Sequence, residues 1–310
     1  MESIQRYRTL NRDLIKTFGQ KTIKLSVNGG FSCPNRDGSK GLNGCIFCSE
    51  MGSGDFAGNV NKSITLQLAD QIHLLSKKWP AEKYIAYFGA FTNTYGDIKD
   101  LRKKYEEALA YPGVVGIAIA TRPDCLSKEV LSLLDEINQE TFLWIELGLQ
   151  TIHEDTARLI RRGYDLDVFE SNYRALEDLG ILTVVHLILG LPGESKSQML
   201  QTVDYVSAQL PWGVKLHLMH IVKGTDLETL YYNKEFALLQ QKEYVDWVCD
   251  ALERLDSSII IHRLTGDGKK ATLIGPLWSL NKLQVLADIR KELVRRNTWQ
   301  GSYLNQPCVF

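Results

Sequence analysis

Six continuously apolar, largely β-branched runs constrain this chain more than any other feature: TIKLSV (22–27), KYIAYF (83–88), VVGIAIA (114–120), TFLWIEL (141–147), ILTVVHLIL (181–189) and VKLHLMHI (214–221). Strands that are apolar along their whole length, rather than at every second residue, are covered on both faces. The stretches between them have helical spacing, among them SITLQLADQIHLLSKKW, DIKDLRKKYEEALA, SKEVLSLLDEIN and SKSQMLQTVDYVSAQL. Several carry start and stop signals, such as Ser127 with Glu129 and the closing Gly180. Strict strand–helix alternation with right-handed crossovers requires a parallel sheet. The expected fold is therefore α/β, a partial (β/α)6 TIM-like barrel that is open and six-stranded.

The last third departs from this rhythm. It reads as a helix at 241–255, a short strand SIIIHRL at 258–264, a Gly-rich turn TGDGKK and a final helix near 281–296. No Pro/Ser-rich linker intervenes, so the sequence divides into a core barrel at 1–240 and a C-terminal helical and strand cap at 241–310 packed on the same domain. At 310 residues, 44% hydrophobic and 24% charged, the chain can build one large core, and the balance excludes collagen-like, low-complexity and disordered classes. A net charge of -1 gives no global field for nucleic acid, although a local basic patch stays open. No run approaches 18 apolar residues and the start lacks a signal-like apolar region, so no membrane span and a cytoplasmic location are expected.

Chemistry concentrates in GGFSCPNRDGSKGLNGCIFCSEMGSGDFAG, directly after the first strand, where barrels place their active sites. Cys33, Cys45 and Cys48 form C-x11-C-x2-C within 16 positions. Three thiolates are an incomplete shell for either metal chemistry. Tetrahedral zinc would need a distant fourth ligand, whereas a [4Fe-4S] cluster on three cysteines keeps one iron open to an outside ligand. The surrounding glycines suit a loop wrapped round a bulky group. Cys125, Cys249 and Cys308 have no partner spacing and read as isolated residues.

The triad ends in Cys-x-aromatic-Cys, and the strand ends carry AYFGAFTNTYG, IATRPDCL, IELGLQT, HLILGLPGE and HIVKGT. In these features the chain resembles the radical S-adenosylmethionine (radical SAM) superfamily, with its usual C-x3-C-x2-C widened. Within it the chain resembles the YhcC-like branch, related to the Elp3 and oxygen-independent coproporphyrinogen oxidase groups. The likeness runs over about residues 5–300. It implies one [4Fe-4S] cluster held by Cys33, Cys45 and Cys48, which are then the catalytic and metal residues, and SAM on its open iron. The cofactor pair supplies a 5'-deoxyadenosyl radical, and the protein supplies geometry and exclusion of water.

The same resemblance places Phe47 against adenine and Ala90 and Thr92 beside the SAM amino group, although Gly89-Ala90-Phe91-Thr92 departs from the family's Gly-Gly-Glu. Gln150 and, 12 positions on, Arg162 match a ribose-binding Gln and a carboxylate-holding Arg; His186 and His220 complete the expected cofactor set. Polar groups in or after apolar strands would line the barrel mouth as substrate residues: Glu146, His217 and Arg263, with Lys223 and Asp267 beside them. Asn93 and Tyr95 could recognise a base, and Trp278 could stack on a flat substrate. The implied partners are a small planar substrate and a reductant such as flavodoxin or ferredoxin. Within this branch the resemblance in length and layout implies, as the expected activity, a radical SAM lyase that takes queuine to the 7-deazaguanine base preQ1. The alternative is a tRNA- or RNA-modifying radical SAM enzyme, and a zinc-bound interaction protein is the reading without catalysis.

Overall fold

All six apolar runs are strands, and the spacing between them is filled as the periodicity requires. The computed structural model describes residues 5–310 apart from Ser53 and Asp55, so residues 1–4 of the expected core lie outside the described residues. After α1 (Leu10–Phe18) come β1 (Thr22–Val27), α2 (Ile64–Ser76), β2 (Lys83–Phe88), α3 (Ile98–Leu109), β3 (Val114–Thr121) and α4 (Lys128–Glu140). Then follow β4 (Phe142–Gln150), α5 (Glu154–Leu159), α6 (Leu166–Asp178), β5 (Leu182–Leu189), α7 (Lys196–Ala208) and β6 (Gly213–Leu218). Side-chain caps fix several helix starts: Ser63 accepts from the Leu66 amide, Ser127 from Val130, and Ser195 forms a capping box with Gln198. Each such cap contributes about 1 kcal/mol.

Among the described residues the sheet has seven strands, not six. The run at 258–264, assigned from sequence to the cap, forms β8 (Ile260–Arg263), which pairs in parallel with β6 through Gly213 and Ile260. Ile259, Ile260 and Ile261 are all buried, so this short strand has the two-sided apolar cover of an inner strand. Its outer edge is not left open: the Ile261 amide donates to the Arg8 carbonyl at 2.8 Å. Helix α1 packs against both β1 and β8, the two end strands, so the curled sheet is an open barrel with α1 lying across the gap. The remaining elements are β7 (Ile221–Val222), α8 (Asp226–Tyr232), α9 (Gln241–Arg254), β9 (Leu273–Gly275) and α10 (Lys282–Arg295), with β7 and β9 forming a small antiparallel ribbon.

The outer face of the sheet and its helices form the main apolar core. Inside the curl, a separate cluster built on Trp144 plugs the bottom: Phe142 packs edge to face on Phe18, Trp144 and Trp212 at 5.3–5.9 Å, and Trp212 is tilted against Trp144 at 5.4 Å. Above this plug the inward-facing residues turn polar, which leaves one end of the barrel open for chemistry. Among the described residues no helix is long and apolar enough to cross a membrane.

Candidate active site

Cys33, Cys45 and Cys48 all border one cavity of about 800 Å³ at the open end of the barrel. They sit on a long irregular segment between β1 and α2, held by short turns: the Arg36 amide donates to the Cys33 carbonyl at 2.8 Å and the Cys48 amide to that of Cys45 at 3.0 Å. The Arg36 guanidinium donates to the carbonyls of Cys48 and Ser49. Asn35, 5% exposed, ties this segment to the strand-four loop by donating to the Arg161 carbonyl at 2.8 Å, and its amide lies 3.6 Å from Cys45 Sγ. Burial pushes the Cys45 thiol up to about 12, so ligation there must expel a proton.

Among the described residues no three His, Cys, Asp or Glu side chains converge on a single-ion position. Three thiolates leave a tetrahedral zinc shell one ligand short, whereas they suffice for a four-iron cluster with one iron open to an outside ligand.

Gly163 shows how tightly this region is closed. Its φ is +81°, and a Cβ there would lie 2.6 Å from Asn35 Oδ1. Gly163→Ala combines left-handed strain with displacement of Asn35, and we expect a loss of about 1–3 kcal/mol. Thermal unfolding checks this; a variant as stable as the parent would show that Asn35 does not clamp the loop.

Of the expected cofactor residues, Phe47, Thr92, Gln150, Arg162, His186 and His220 line the cavity, as does Phe91. Gln150 has φ +65° at a register break between β4 and β5, a conformation disfavoured for a side chain and one that turns it toward the open end. Ala90 is buried and packs against Gly54 rather than facing the cavity. Arg162 is 1% exposed and four of its five donors are already used: it bonds the carbonyls of Leu149, Thr151 and Tyr164 and pairs with Glu154 at 2.9 Å. In this geometry it anchors the turn that presents Gln150 instead of offering a free fork. Arg122, from the strand-three end, is one of several cavity cations that sequence reasoning missed. It lines the same cavity near Cys33 and Cys45, held by a two-pronged pair with Asp124 at 2.9 Å. Its signal was the charged ATRPD motif ending an apolar strand.

Deeper, on the aromatic plug, lies Glu146, fully buried. Trp144 Nε1 donates to it at 3.0 Å, His186 Nε2 at 3.0 Å, Lys215 pairs with it closely, and Lys24 stands 3.7 Å away. Burial alone would raise this carboxyl, yet Lys215, Lys24 and His186 hold it well below the usual range. His186, lowered to about 4 by burial and by Lys215, is a neutral imidazole donating its Nε2 proton. Burial pushes the Lys24 and Lys215 ammoniums down, with Glu146 opposing. His217, His220, Arg263 and Asp267 border the same chamber, while Lys223 is exposed and stands outside it.

The base-recognition set expected from sequence is not assembled. Glu146 already accepts from three donors, Trp144, His186 and Lys215, and Lys24 stands 3.7 Å away. Asn93 is buried behind the wall, donating to the Ala120 carbonyl at 2.8 Å, and Tyr95 bonds Ser39 near the surface at 2.7 Å. Trp278 is a packing residue: it lies against Tyr244 and donates to the Leu239 carbonyl at 3.1 Å, away from the cavity. A buried Trp more often satisfies its N–H this way than it stacks on ligand.

The sequence matches the family described as "Radical SAM superfamily" over residues 35–206 and the "Radical_SAM C-terminal domain" over 211–295. The uncharacterized protein YtqA of Bacillus subtilis is 46% identical over 302 residues, covering 97% of this chain and 94% of that protein. Protein YhcC of Escherichia coli is 36% identical, covering 96% and 95%. A tRNA uridine(34) acetyltransferase of Methanocaldococcus infernus is 26% identical over 159 residues, 49% of this chain and 29% of that protein. The solved structure of the Methanocaldococcus infernus Elp3 shares the fold with TM-score 0.67 at 16% identity, over 90% of this chain and 64% of that one.

Proposed function

Because the chain belongs to the radical SAM superfamily, in its YhcC-like branch, and so uses one [4Fe-4S] cluster with S-adenosylmethionine, we propose that it modifies an unstacked nucleoside of tRNA. When bound, the cluster and SAM supply a 5'-deoxyadenosyl radical that removes a hydrogen atom from the substrate. Cys33, Cys45 and Cys48 would be the three ligands, and Phe47, Thr92 and Gln150 would form the wall of the SAM site. A one-electron reductant such as flavodoxin or ferredoxin completes the system. The catalytic core is 1–240, and 241–310 extends the same domain, since β8 pairs with β6 and Arg263 and Asp267 from it reach the cavity.

One observation carries the RNA reading: the cavity is cationic although the chain is not. Among the described residues seven cations line it (Lys24, Arg36, Arg122, Arg162, Lys215, Arg263 and Lys282) against two acids, Glu146 and Asp267. Adding Asp124 and Glu154, which pair with Arg122 and Arg162 from behind, makes four acids and still leaves an excess of three. Phe56 and Trp79, 55% and 41% exposed, also line it, and the Lys78 ammonium lies 4.7 Å from the Trp79 ring centre. Exposed rings beside cations suit stacking of splayed bases next to phosphates. The name of the tRNA uridine(34) acetyltransferase, which matches 49% of this chain and 29% of its own length, agrees with this reading.

Conversion of queuine to preQ1 is the second reading, favoured by a cavity of about 800 Å³, the size of an ordinary small-molecule pocket. Mass spectrometry after anaerobic turnover with SAM, a reductant and either bulk tRNA or queuine separates the two. The expected result is a changed nucleoside in tRNA; preQ1 from queuine with unaltered tRNA overturns it. Trp79→Ala should weaken tRNA binding roughly ten-fold, the effect of losing one stacked base. Unchanged affinity would remove Trp79 from the interface.

A further inference from the structure

We infer that the floor of the cavity is a subsite for an anionic oxygen group on the substrate, carboxylate or phosphoryl, held by Lys24, Lys215 and Arg263. This deepens the nucleoside reading by naming what the modified base carries. The three cations come from β1, β6 and β8, and all face inward into one chamber. Their side chains are 24%, 2% and 30% exposed, so their charges are only partly solvated.

The charges do not balance. Glu146 is shared between Lys215 and Lys24 and also accepts from His186 and Trp144. Asp267 is shared between Arg263 at 2.9 Å and Lys282 at 2.6 Å. Four cations thus face two carboxylates among the described residues. A structural ion pair would need only Lys215 with Glu146; a second buried lysine on the same carboxylate adds desolvation and repulsion without an added partner. The Tyr87 ring, 4.6 Å from Lys24 and 4.8 Å from Lys215, offsets part of that cost and keeps the two ammoniums on one surface.

A second feature points the same way. His217 and His220 border the chamber, and their Nε2 atoms are buried with no hydrogen-bond partner. Buried ring nitrogens without partners are rare in a finished core. As N–H donors beside two lysines and an arginine they complete a set suited to one anionic oxygen group. Phosphates of an RNA backbone would remain at the mouth with Trp79 and Phe56, so the floor is left for a substituent of the base itself.

Calorimetry on the anaerobic, SAM-loaded holoenzyme tests this with three probes: uracil, orotate and uridine 5'-monophosphate. At least one anionic probe should bind ten-fold or more tighter than uracil; orotate ahead identifies a carboxylate and the monophosphate ahead a phosphoryl group. The preference should collapse in Lys24→Met combined with Arg263→Gln. Lys215→Met combined with Glu146→Gln removes one charge of each sign and keeps the measurement open if the first pair does not fold. Uracil binding as tightly as both anions, or a preference that survives in the folded variants, overturns the subsite. The probes contain no RNA chain, so a failed tRNA turnover and a failed subsite are told apart.

Discussion

Replacing Cys45 with Ala abolishes 5'-deoxyadenosine formation and leaves the barrel folded. The thiol is one of three that border the cavity, and its segment is held by backbone and side-chain bonds that do not use the sulfur: Cys48 amide to Cys45 carbonyl, Ile46 amide to Ile160 carbonyl, and Asn35 to the Arg161 carbonyl. With those bonds intact, loss of one sulfur should cost about 1 kcal/mol. A cluster with two protein ligands is not retained, and SAM cleavage should fall to the level of the reductant alone. Far-ultraviolet circular dichroism and product analysis check the two halves. Undiminished 5'-deoxyadenosine from the variant would sink the ligand assignment, and an unfolded variant would show that the loop depends on the sulfur itself.

Glu146→Gln has the second large effect, and this one is on stability. The substitution keeps the shape and removes the one carboxylate that, among the described residues, pairs with Lys215 and Lys24. Stranding a buried cation costs about 3 kcal/mol or more, which in a chain of this length lowers Tm by roughly 5 °C. Pairing it with Lys215→Met should recover most of the loss, because the excess charge goes with its partner. The carboxyl of Glu146 is depressed in the fold, so the stability it adds is present above the unfolded carboxyl value of about 4.3 and fades as pH falls through its lower folded value. The Tm gap between parent and variant should therefore be widest above about pH 5 and close in acid. A gap that widened on acidification would contradict the ion-pair account.

Much of this architecture was legible in the sequence because the physics is local. Whole-length apolar strands fixed a parallel sheet covered on both faces, and the position of the cysteines after β1 put them at its open end. The seventh strand was misassigned because SIIIHRL follows a long helical interruption, and only pairing with Gly213 reveals its place in the sheet. The polar floor was half legible. Glu146, His217 and Arg263 stood out, whereas Lys24 in TIKLSV and Lys215 in VKLHLMHI carried the same signal, a charge inside an apolar strand, and were passed over. Arg162 could not be read from spacing. Its 12-residue offset from Gln150 holds, but three carbonyls and Glu154 occupy its donors, and that depends on how the turn after β4 folds back. Trp278 misled for the opposite reason: an aromatic near a Gly-Pro turn looks available until the Leu239 carbonyl is seen to take its N–H.

The central claim is that the three cysteines hold a cluster that reductively cleaves SAM. Its most direct measurement is anaerobic reconstitution with iron and sulfide, followed by iron analysis and product detection with SAM and a strong reductant. The account predicts a brown protein with about four irons per chain and 5'-deoxyadenosine that appears only with SAM and reductant together. A colourless protein that binds one zinc and leaves SAM intact would contradict it.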